Sequence, residues 1–325
     1  MHLSPPAFER PIAIRTATQD RCVAHITHNG EEVEDDSNFK HGAQAKIIAD
    51  SISPAGYRVT TMEVVMWRAV LAEFNTHRVF SRNSASSRAI PFRKQVERVK
   101  RHPAIPVKWA SEQKGMQGGD ELDELDRQDA EQEWLYARDA AVEGAQALAD
   151  LGVHKSIVNR LLEPFMWHTV IVTSTEWQGF WDQRCSELAQ PEIKVAAELM
   201  REAYEASEPT LVDYDEWHLP YIEGEDWDAA IDMSDENGGD NNTVVDIIKS
   251  VSVARSARVS FLNHDGTREL QKDLDLYYRL VSADPLHASP LEHVCTPAEY
   301  SEVRAGEVLG NLTGWHQMRH QVENA

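Results

Sequence analysis

Residues Asn75 to Arg88 restrict the fold of this chain more than any other stretch. They read NTHRVFSRNSASSR, with His77, Arg78, Arg82 and Arg88 set among four serines and Asn83. Such a segment is poor material for a core. It has few apolar side chains to bury, and each cation taken from water would need a partner. After Phe80 the 3.6-residue apolar period of a helix is missing as well. The segment therefore reads as a loop of fixed cations and hydroxyls, suited to anions and above all to phosphates. Arginine grips phosphate oxygens in a bidentate fork, and serines and backbone N–H groups add neutral donors. A merely solvated polar loop has the same composition.

The overall charge gives this loop weight. The formal net charge is -22, so the chain as a whole repels nucleic acid and anionic membrane. Any phosphate must then be held in a locally basic pocket. The 325 residues, 42% of them hydrophobic, suffice for one large or two ordinary globular domains. Cys22, Cys185 and Cys295 are widely spaced with no CxxC, which fits a reducing compartment and no disulfide scaffold. There is no signal-peptide pattern and no apolar run near 18 residues, so a soluble cytoplasmic protein is expected, with neither nucleic acid nor membrane as partner.

Taken in order, residues 1–42 read as an N-terminal extension with a short strand near Cys22 to Thr27. Met62 to Phe74 reads as a helix, because Met62, Val65, Met66, Ala69, Val70 and Phe74 recur at i, i+3, i+4 spacing. The polar loop follows and closes at Ile90-Pro91. Acidic residues from Asp120 to Asp126 are expected to be a solvated helix start, and Trp134 to Leu151 a helix ended by Gly152. His154 to Glu163 reads as a short helix stopped before Pro164. Trp167 to Thr173 alternates and is β-branched, hence a strand. A third helix is expected from near Ser174, with Trp177, Phe180, Trp181 and Arg184 on one side. Arg184 then either snorkels or meets a buried acid, or it lines a ligand pocket with aromatic walls. Pro191 opens a fourth helix with the stripe Ile193, Ala196, Ala197, Met200 and Tyr204. Residues 223–243, acidic with Gly238 and Gly239, read as an exposed linker. Residues 244–325 form the last segment, with a helix expected from about 267 to 281 and a polar turn from His287 to His293.

Other chemistries are weakly signalled. His316 and His320 have i, i+4 spacing, one face of a helix, but lack the glutamate of HExxH, and no metal site is expected. Cys185 adjoins Arg184, yet helix neighbours point about 100° apart, so an inert thiol is expected. Neither GxGxxG nor a phosphate-binding Walker loop is present.

His77-Arg78, Ser81, Asn83, Ser86 and Arg88 resemble the signature loop of the flavin-dependent thymidylate synthases. Arg184 followed by Ala189-Gln190-Pro191-Glu192-Ile193 is similar to a second family segment. Arg160 before Leu161-Leu162-Glu163-Pro164 is similar to a third, and Ala257-Arg258-Val259-Ser260-Phe261 with His287 to His293 to the stretch that opens ordinary members. Thr76 stands where the motif has its first arginine, and Ser84 where it has glutamate. The order is also altered. The opening stretches come last, followed by Gly314 to Arg319 and Asn324, which look like a second, degenerate lead-in. The chain thus resembles a rearranged or partly duplicated member, with residues 1–40 and the acidic linker unmatched.

The resemblance implies a mixed α/β fold, a mixed sheet with flanking helices, in which residues 43–222 carry the signature loop and nucleotide-site helices and 244–325 pack into the same domain. It implies an FAD enzyme that methylates dUMP with methylenetetrahydrofolate and NADPH, uses no enzymic nucleophile and forms homo-oligomers. Ser84, Ser86, Ser87, Arg88 and Arg160 would hold the deoxynucleoside monophosphate, and Arg184 would lie against its base as the catalytic cation. His77, Arg78, Asn83, Thr173, Thr175, His287, Ser289 and Glu292 would hold FAD. The departures leave open a flavin- and folate-dependent hydroxymethylase acting on dCMP or dUMP, or a non-catalytic nucleotide- or flavin-binding protein.

Overall fold

The structure is a computed structural model that describes residues 23–26, 42–259, 268–308 and 310–324. In chain order the strands are β1 (Val23–Ile26), β2 (Ala43–Ile52), β3 (Arg58–Trp67), β4 (Ser81–Ser84), β5 (Trp167–Ser174), β6 (Thr210–Leu211), β7 (Cys295–Pro297) and β8 (Trp315–Gln317). The helices are α1 (Leu71–Phe74), α2 (Phe92–Arg101), α3 (Glu124–Asp150), α4 (Lys155–Val158), α5 (Gln178–Arg184) and α6 (Pro191–Glu205). They continue with α7 (Gly224–Glu236), α8 (Asn241–Arg258), α9 (Leu270–Val281), α10 (Tyr300–Ala305) and α11 (Met318–Glu323).

A mixed sheet of order β1-β2-β3-β5-β4 organises the fold, with β6 parallel to the end of β2 and every other pair antiparallel. The class is therefore mixed α/β, as the sequence implied. Strands β7 and β8 form a separate antiparallel pair.

Period-two alternation decides what covers each face. Met62, Val64 and Met66 of β3 and Val170 and Val172 of β5 point to one side, where Ile193, Ala196, Ala197 and Met200 of α6 close the main core. The stripe expected for α6 is thus the buried one, with Tyr204 packed at its margin. Fully burying Ile193 or Met200 contributes roughly 1.5–3 kcal/mol each. Thr61 and Glu63 of β3 and Thr173 of β5 point the other way, toward residues 218–325: Thr61 meets His218, Glu63 accepts from Tyr221, and Thr173 meets His293.

This double burial explains a misreading. Residues 62–67, expected as helix, belong to β3, in which nine of ten residues are buried. A strand covered on both faces shows no alternation, and its apolar run mimics helical spacing. Only Leu71–Phe74 is α-helical, entered through a 3-10 turn at Arg68–Val70. The helix expected from Ser174 begins at Gln178, because β5 runs through Ser174, whose hydroxyl accepts from Glu176 N. The expectations of β5 and of α6 from Pro191 match the structure, as does a strand near residue 24, although Cys22 and Thr27 lie outside the described residues. The helix α3 starts at Glu124, capped by Asp123, and ends where Gly152 adopts φ +80°. The helix read up to Glu163 is a turn of α4 followed by a 3-10 segment, Asn159–Phe165, that contains Pro164. Of the segment expected as helix from 267, residue 267 lies outside the described residues and α9 begins at Leu270.

The acidic stretch 223–243 is not a linker. Glu223 and Asp226 form a reciprocal cap on α7, and Asp240 caps α8. Asp226 is buried and takes both terminal nitrogens of Arg255 at 2.8 Å, together with Arg268 at 2.6 Å. Burial alone would raise its carboxyl, but the hydrogen bonds from Arg255 and Arg268 prevail and hold it at about 2. Arg255 also donates to Asp273 at 3.0 Å and to the carbonyl of Tyr221 at 2.9 Å. The acids that looked like an exposed linker are therefore partly ion-pair partners for arginines 29 and 42 residues after Asp226, a relation that composition does not display. Likewise β1, within the stretch read as an extension, pairs with β2.

Candidate functional site

The stretch Asn75 to Arg88 forms β4 and its two flanking turns. The first turn leaves α1. Its backbone is closed by Thr76 N–Glu73 O and His77 N–Phe74 O, and the Arg82 guanidinium donates to the carbonyls of Phe74 and His77. Beneath it Phe74, Phe80 and Phe180 pack with ring centroids 5.1 to 5.8 Å apart, and Trp177 stacks on Trp181. Trp177, Phe180 and Trp181 are the predicted aromatic face at α5. Arg184 ends that helix, half-buried, and reaches back to the turn. Its Nε donates to His77 Nε2 (2.9 Å), Nη1 to Glu73 Oε2 (3.3 Å) and Nη2 to Thr76 Oγ1 (3.3 Å). An acid does meet Arg184, and it is Glu73, a residue the sequence reading passed over. Burial, then the cations Arg184 and Arg82, lower the His77 imidazole to about 4. His77 is thus a neutral acceptor whose remaining proton sits on Nδ1.

The middle of the stretch is not a loop. Ser81–Ser84 is an edge strand paired with β5, so its side chains alternate. Ser81 and Asn83 are buried while Arg82 and Ser84 are half-buried. Asn83 Nδ2 donates to Ser256 O (2.8 Å), and Ser289 Oγ lies 3.5 Å from Asn83 Oδ1. Ser289 and Glu292 belong to a 3-10 turn from the last segment, where Arg319 pairs with Glu292. The structure thus brings Asn83, Ser289 and Glu292 together. Arg78 and His287 are exposed, and Thr175 accepts from Thr313 N.

Thr173 has a different task from the one expected. It is fully buried, and its hydroxyl bonds Thr61 (2.6 Å) and His293 Nδ1 (2.8 Å). Thr61 in turn bonds His218 Nε2, and His218 Nδ1 bonds Ser51 (both 2.8 Å). A ligand cannot reach a hydroxyl so enclosed. The two rings tie residues 218 and 293 to the sheet.

The second turn carries Ser86, Ser87 and Arg88. Asn159 Nδ2 donates to the carbonyls of Ser87 (2.8 Å) and Ile90 (3.1 Å), and Lys155 Nζ to that of Ala89 (3.0 Å). Asn159 is fully buried and neighbours the exposed Arg160, so the α4 region both clamps the serine turn and presents a cation. Asn159 was missed, and its position beside Arg160 was the only available signal. Below the turn a small cavity is lined by Arg68, Ser87, Gln95, Arg98 and His168. Burial, then Arg68, push His168 down to about 3.

One earlier reading changes. His316 and His320 do not share a helix face: His316 lies in β8 and pairs with Glu302, and His320 lies in α11. No cluster of three His, Cys, Asp or Glu among the described residues could hold a metal ion. Cys185 caps α5, and burial raises its thiol, which keeps it protonated and a poor nucleophile. No described helix is long and apolar enough to cross a membrane.

The buried histidines make a testable prediction. Burial holds His218 at about 4, and burial with His218 nearby holds His293 at about 3. With His168 they are neutral when folded but titrate near 6.5 when unfolded. Their contribution is complete above pH 6.5 and is lost as pH falls toward the folded values. A histidine moved from 6.5 to about 4 represents roughly 3 kcal/mol. Thermal unfolding should therefore show a steep fall in Tm between pH 6.5 and 4.5, before most carboxylates titrate. A flat profile there would contradict buried neutral rings.

The family profile described as thymidylate synthase complementing protein matches residues 12–210, more than half of the chain. The match begins inside the stretch 1–40 that the sequence reading left unmatched, and it stops short of 244–325. No curated protein matches significantly. Among solved structures, the UMP/dUMP methylase PolB from Streptomyces cacaoi bound with 5-Br dUMP is 17% identical. It covers 51% of this chain and 90% of its own, with a TM-score of 0.41. The same protein bound with 5-Br UMP gives 17%, 51%, 89% and 0.43.

Proposed function

The chain belongs to the thymidylate synthase complementing protein family and is an enzyme of thymidylate synthase type, and we propose that it methylates dUMP at C5. The one-carbon unit would come from methylenetetrahydrofolate and the reducing equivalents from NADPH by way of FAD. The observation that carries this reading is the fixed guanidinium of Arg184. It is half-buried at the end of α5 and tied at all three nitrogens to Glu73, Thr76 and His77, at the start of the signature stretch. A cation fixed in place before the substrate arrives stabilises negative charge growing on a pyrimidine ring better than a freely moving one.

The remaining residues divide by position. Ser84, Ser86, Ser87, Arg88 and Arg160 would take the phosphate and sugar, with Asn159 and Lys155 keeping the serine turn in shape. For FAD, the chemistry of the cluster fits. Asn83, Ser289 and Glu292 offer donors and acceptors within one small region. Beside them Ser256 Oγ and His293 Nε2 are buried polar atoms with no hydrogen-bond partner among the described residues. His77, Arg78, Thr175 and His287 would complete the flavin contacts, whereas the enclosed hydroxyl of Thr173 would act only through His293. Bound flavin would supply the redox chemistry, and the protein its orientation. Folate use, a homo-oligomeric state and a cytoplasmic location belong to the same proposal.

A second reading is hydroxymethyl transfer to dCMP or dUMP. It is favoured by Thr76 and Ser84, which replace the motif's arginine and glutamate. Incubation with dUMP or dCMP, methylenetetrahydrofolate, FAD and NADPH, followed by mass analysis, separates the two. The expected product is dUMP with a methyl in place of a hydrogen. A hydroxymethyl product, or turnover of dCMP alone, would replace the leading reading by the second. Uracil and cytosine differ by one oxygen against one amino group, and a site built for one strongly rejects the other.

A further inference from the structure

We propose that Glu73 and Thr76 are positioning residues that aim Arg184 at the substrate base, an assignment that rests on the role given to Arg184 above. An arginine side chain has about 2 kcal/mol of rotamer entropy to lose, so an arginine that must meet a growing charge in one place needs to be held before substrate arrives. Here the holding is done by one turn. Glu73 takes Nη1, Thr76 takes Nη2 and His77 takes Nε. A guanidinium carries five N–H groups, so these bonds leave one N–H on each terminal nitrogen for the substrate.

The turn is itself fixed. The Thr76 hydroxyl donates to Glu73 O at 2.7 Å, so its proton is committed and a lone pair faces the guanidinium. Arg82 ties the carbonyls of Phe74 and His77 from the other side. The neutral imidazole of His77 can accept from Nε, and it is wedged against Phe180 with centroids 4.8 Å apart.

The geometry also accounts for a departure from the family motif. An arginine at position 76 would bring a second guanidinium against Arg184, and like charges in contact repel. Thr76 replaces that cation by an acceptor, and Glu73 adds a carboxylate at the same corner. The three side chains thus form an acceptor surface shaped to one guanidinium.

Steady-state kinetics on the full chain with dUMP, methylenetetrahydrofolate, FAD and NADPH tests this. Glu73→Ala should lower kcat about tenfold or more with the nucleotide KM within about threefold, since what is lost is alignment and not binding. Glu73→Gln, which keeps an acceptor oxygen, should recover most of the rate. Thr76→Arg, although it restores the family residue, should lower kcat at least as much as Glu73→Ala. In an Arg184→Ala background Glu73→Ala should have no further effect. Unchanged kcat in both Glu73→Ala and Thr76→Arg, or equal losses in Glu73→Ala and Glu73→Gln, would overturn the assignment while leaving the proposed reaction intact. Full turnover by Arg184→Ala would instead remove the role of Arg184 and the assignment with it.

Discussion

Arg184→Ala is expected to fold, to retain flavin and to lose turnover by a factor of about 10²–10³, the scale for removing one preorganised donor to a developing charge. The side chain sits at the C-terminal end of α5 and is not part of the aromatic core below it. Trp177, Phe180 and Trp181 are each buried to within 7% of full enclosure and stay packed without it. Loss of the guanidinium also leaves no buried charge behind. Glu73 is over a third exposed in its side chain, and His77 is already neutral. The variant should therefore keep a near-normal Tm while the carbon-transfer step slows more than substrate affinity falls. Cys185→Ser is the matched control, one residue further along. Its thiol is raised by burial and stays protonated, so activity should persist. Single-turnover product formation in the two variants decides the matter. A folded, inactive Cys185→Ser would mean that a nucleophile on the enzyme takes part, and an active Arg184→Ala would mean that charge at the base is stabilised from elsewhere.

The sequence displayed those parts whose side chains follow one local rule. The strand β5 shows because WHTVIVT is β-branched and short, and α6 shows because Pro191 fixes its start and one stripe of four residues faces the sheet. The strand β3 does not show, because it is covered on both faces and loses the alternation that marks a strand. The signature stretch looked like a loop for the opposite reason. Its edge strand β4 buries polar side chains, Ser81 and Asn83, whose partners Gln317 and Ser256 lie more than 170 residues away. The acids of α7 read as an exposed linker for the same cause, since the arginines that neutralise Asp226 come later in the chain. In the site, Arg184 and the serines could be named from motif and spacing, but Glu73 and Asn159 could not. Each acts through a contact made by folding, one across to α5 and the other under the serine turn.

Deletion of residues after Gly238 is expected to disrupt the cooperative fold and not just the proposed flavin contacts. The segment beyond that point covers the second face of the sheet. It contributes His293 to the buried Thr61–Thr173 pair, Gln317 Nε2 to Ser81 (2.9 Å) and Trp315 Nε1 to the carbonyl of Tyr57 (3.2 Å). Trp315 is fully buried, and the Tyr57 ring lies so close to Gly314 that a Cβ there would sit 2.4 Å from it. Deletion would also strand Asp226, whose arginines 255 and 268 are both beyond the cut. With α8 and α9 gone, α7 loses both its ion pairs and its packing partners, and a whole domain is stable by only about 5–15 kcal/mol. The cut also removes the apolar residues that α8, α9 and the last segment pack over the second face, so the sheet keeps its α6 side but loses the other. Circular dichroism through a thermal or urea ramp should show no cooperative transition, and FAD should not be retained. Supplying residues 239–325 as a separate chain should restore both, since the contacts are non-covalent. A truncated protein with a sharp transition and unchanged FAD affinity would show instead that residues 43–238 fold and build the flavin site alone, and that the last segment is an appended module.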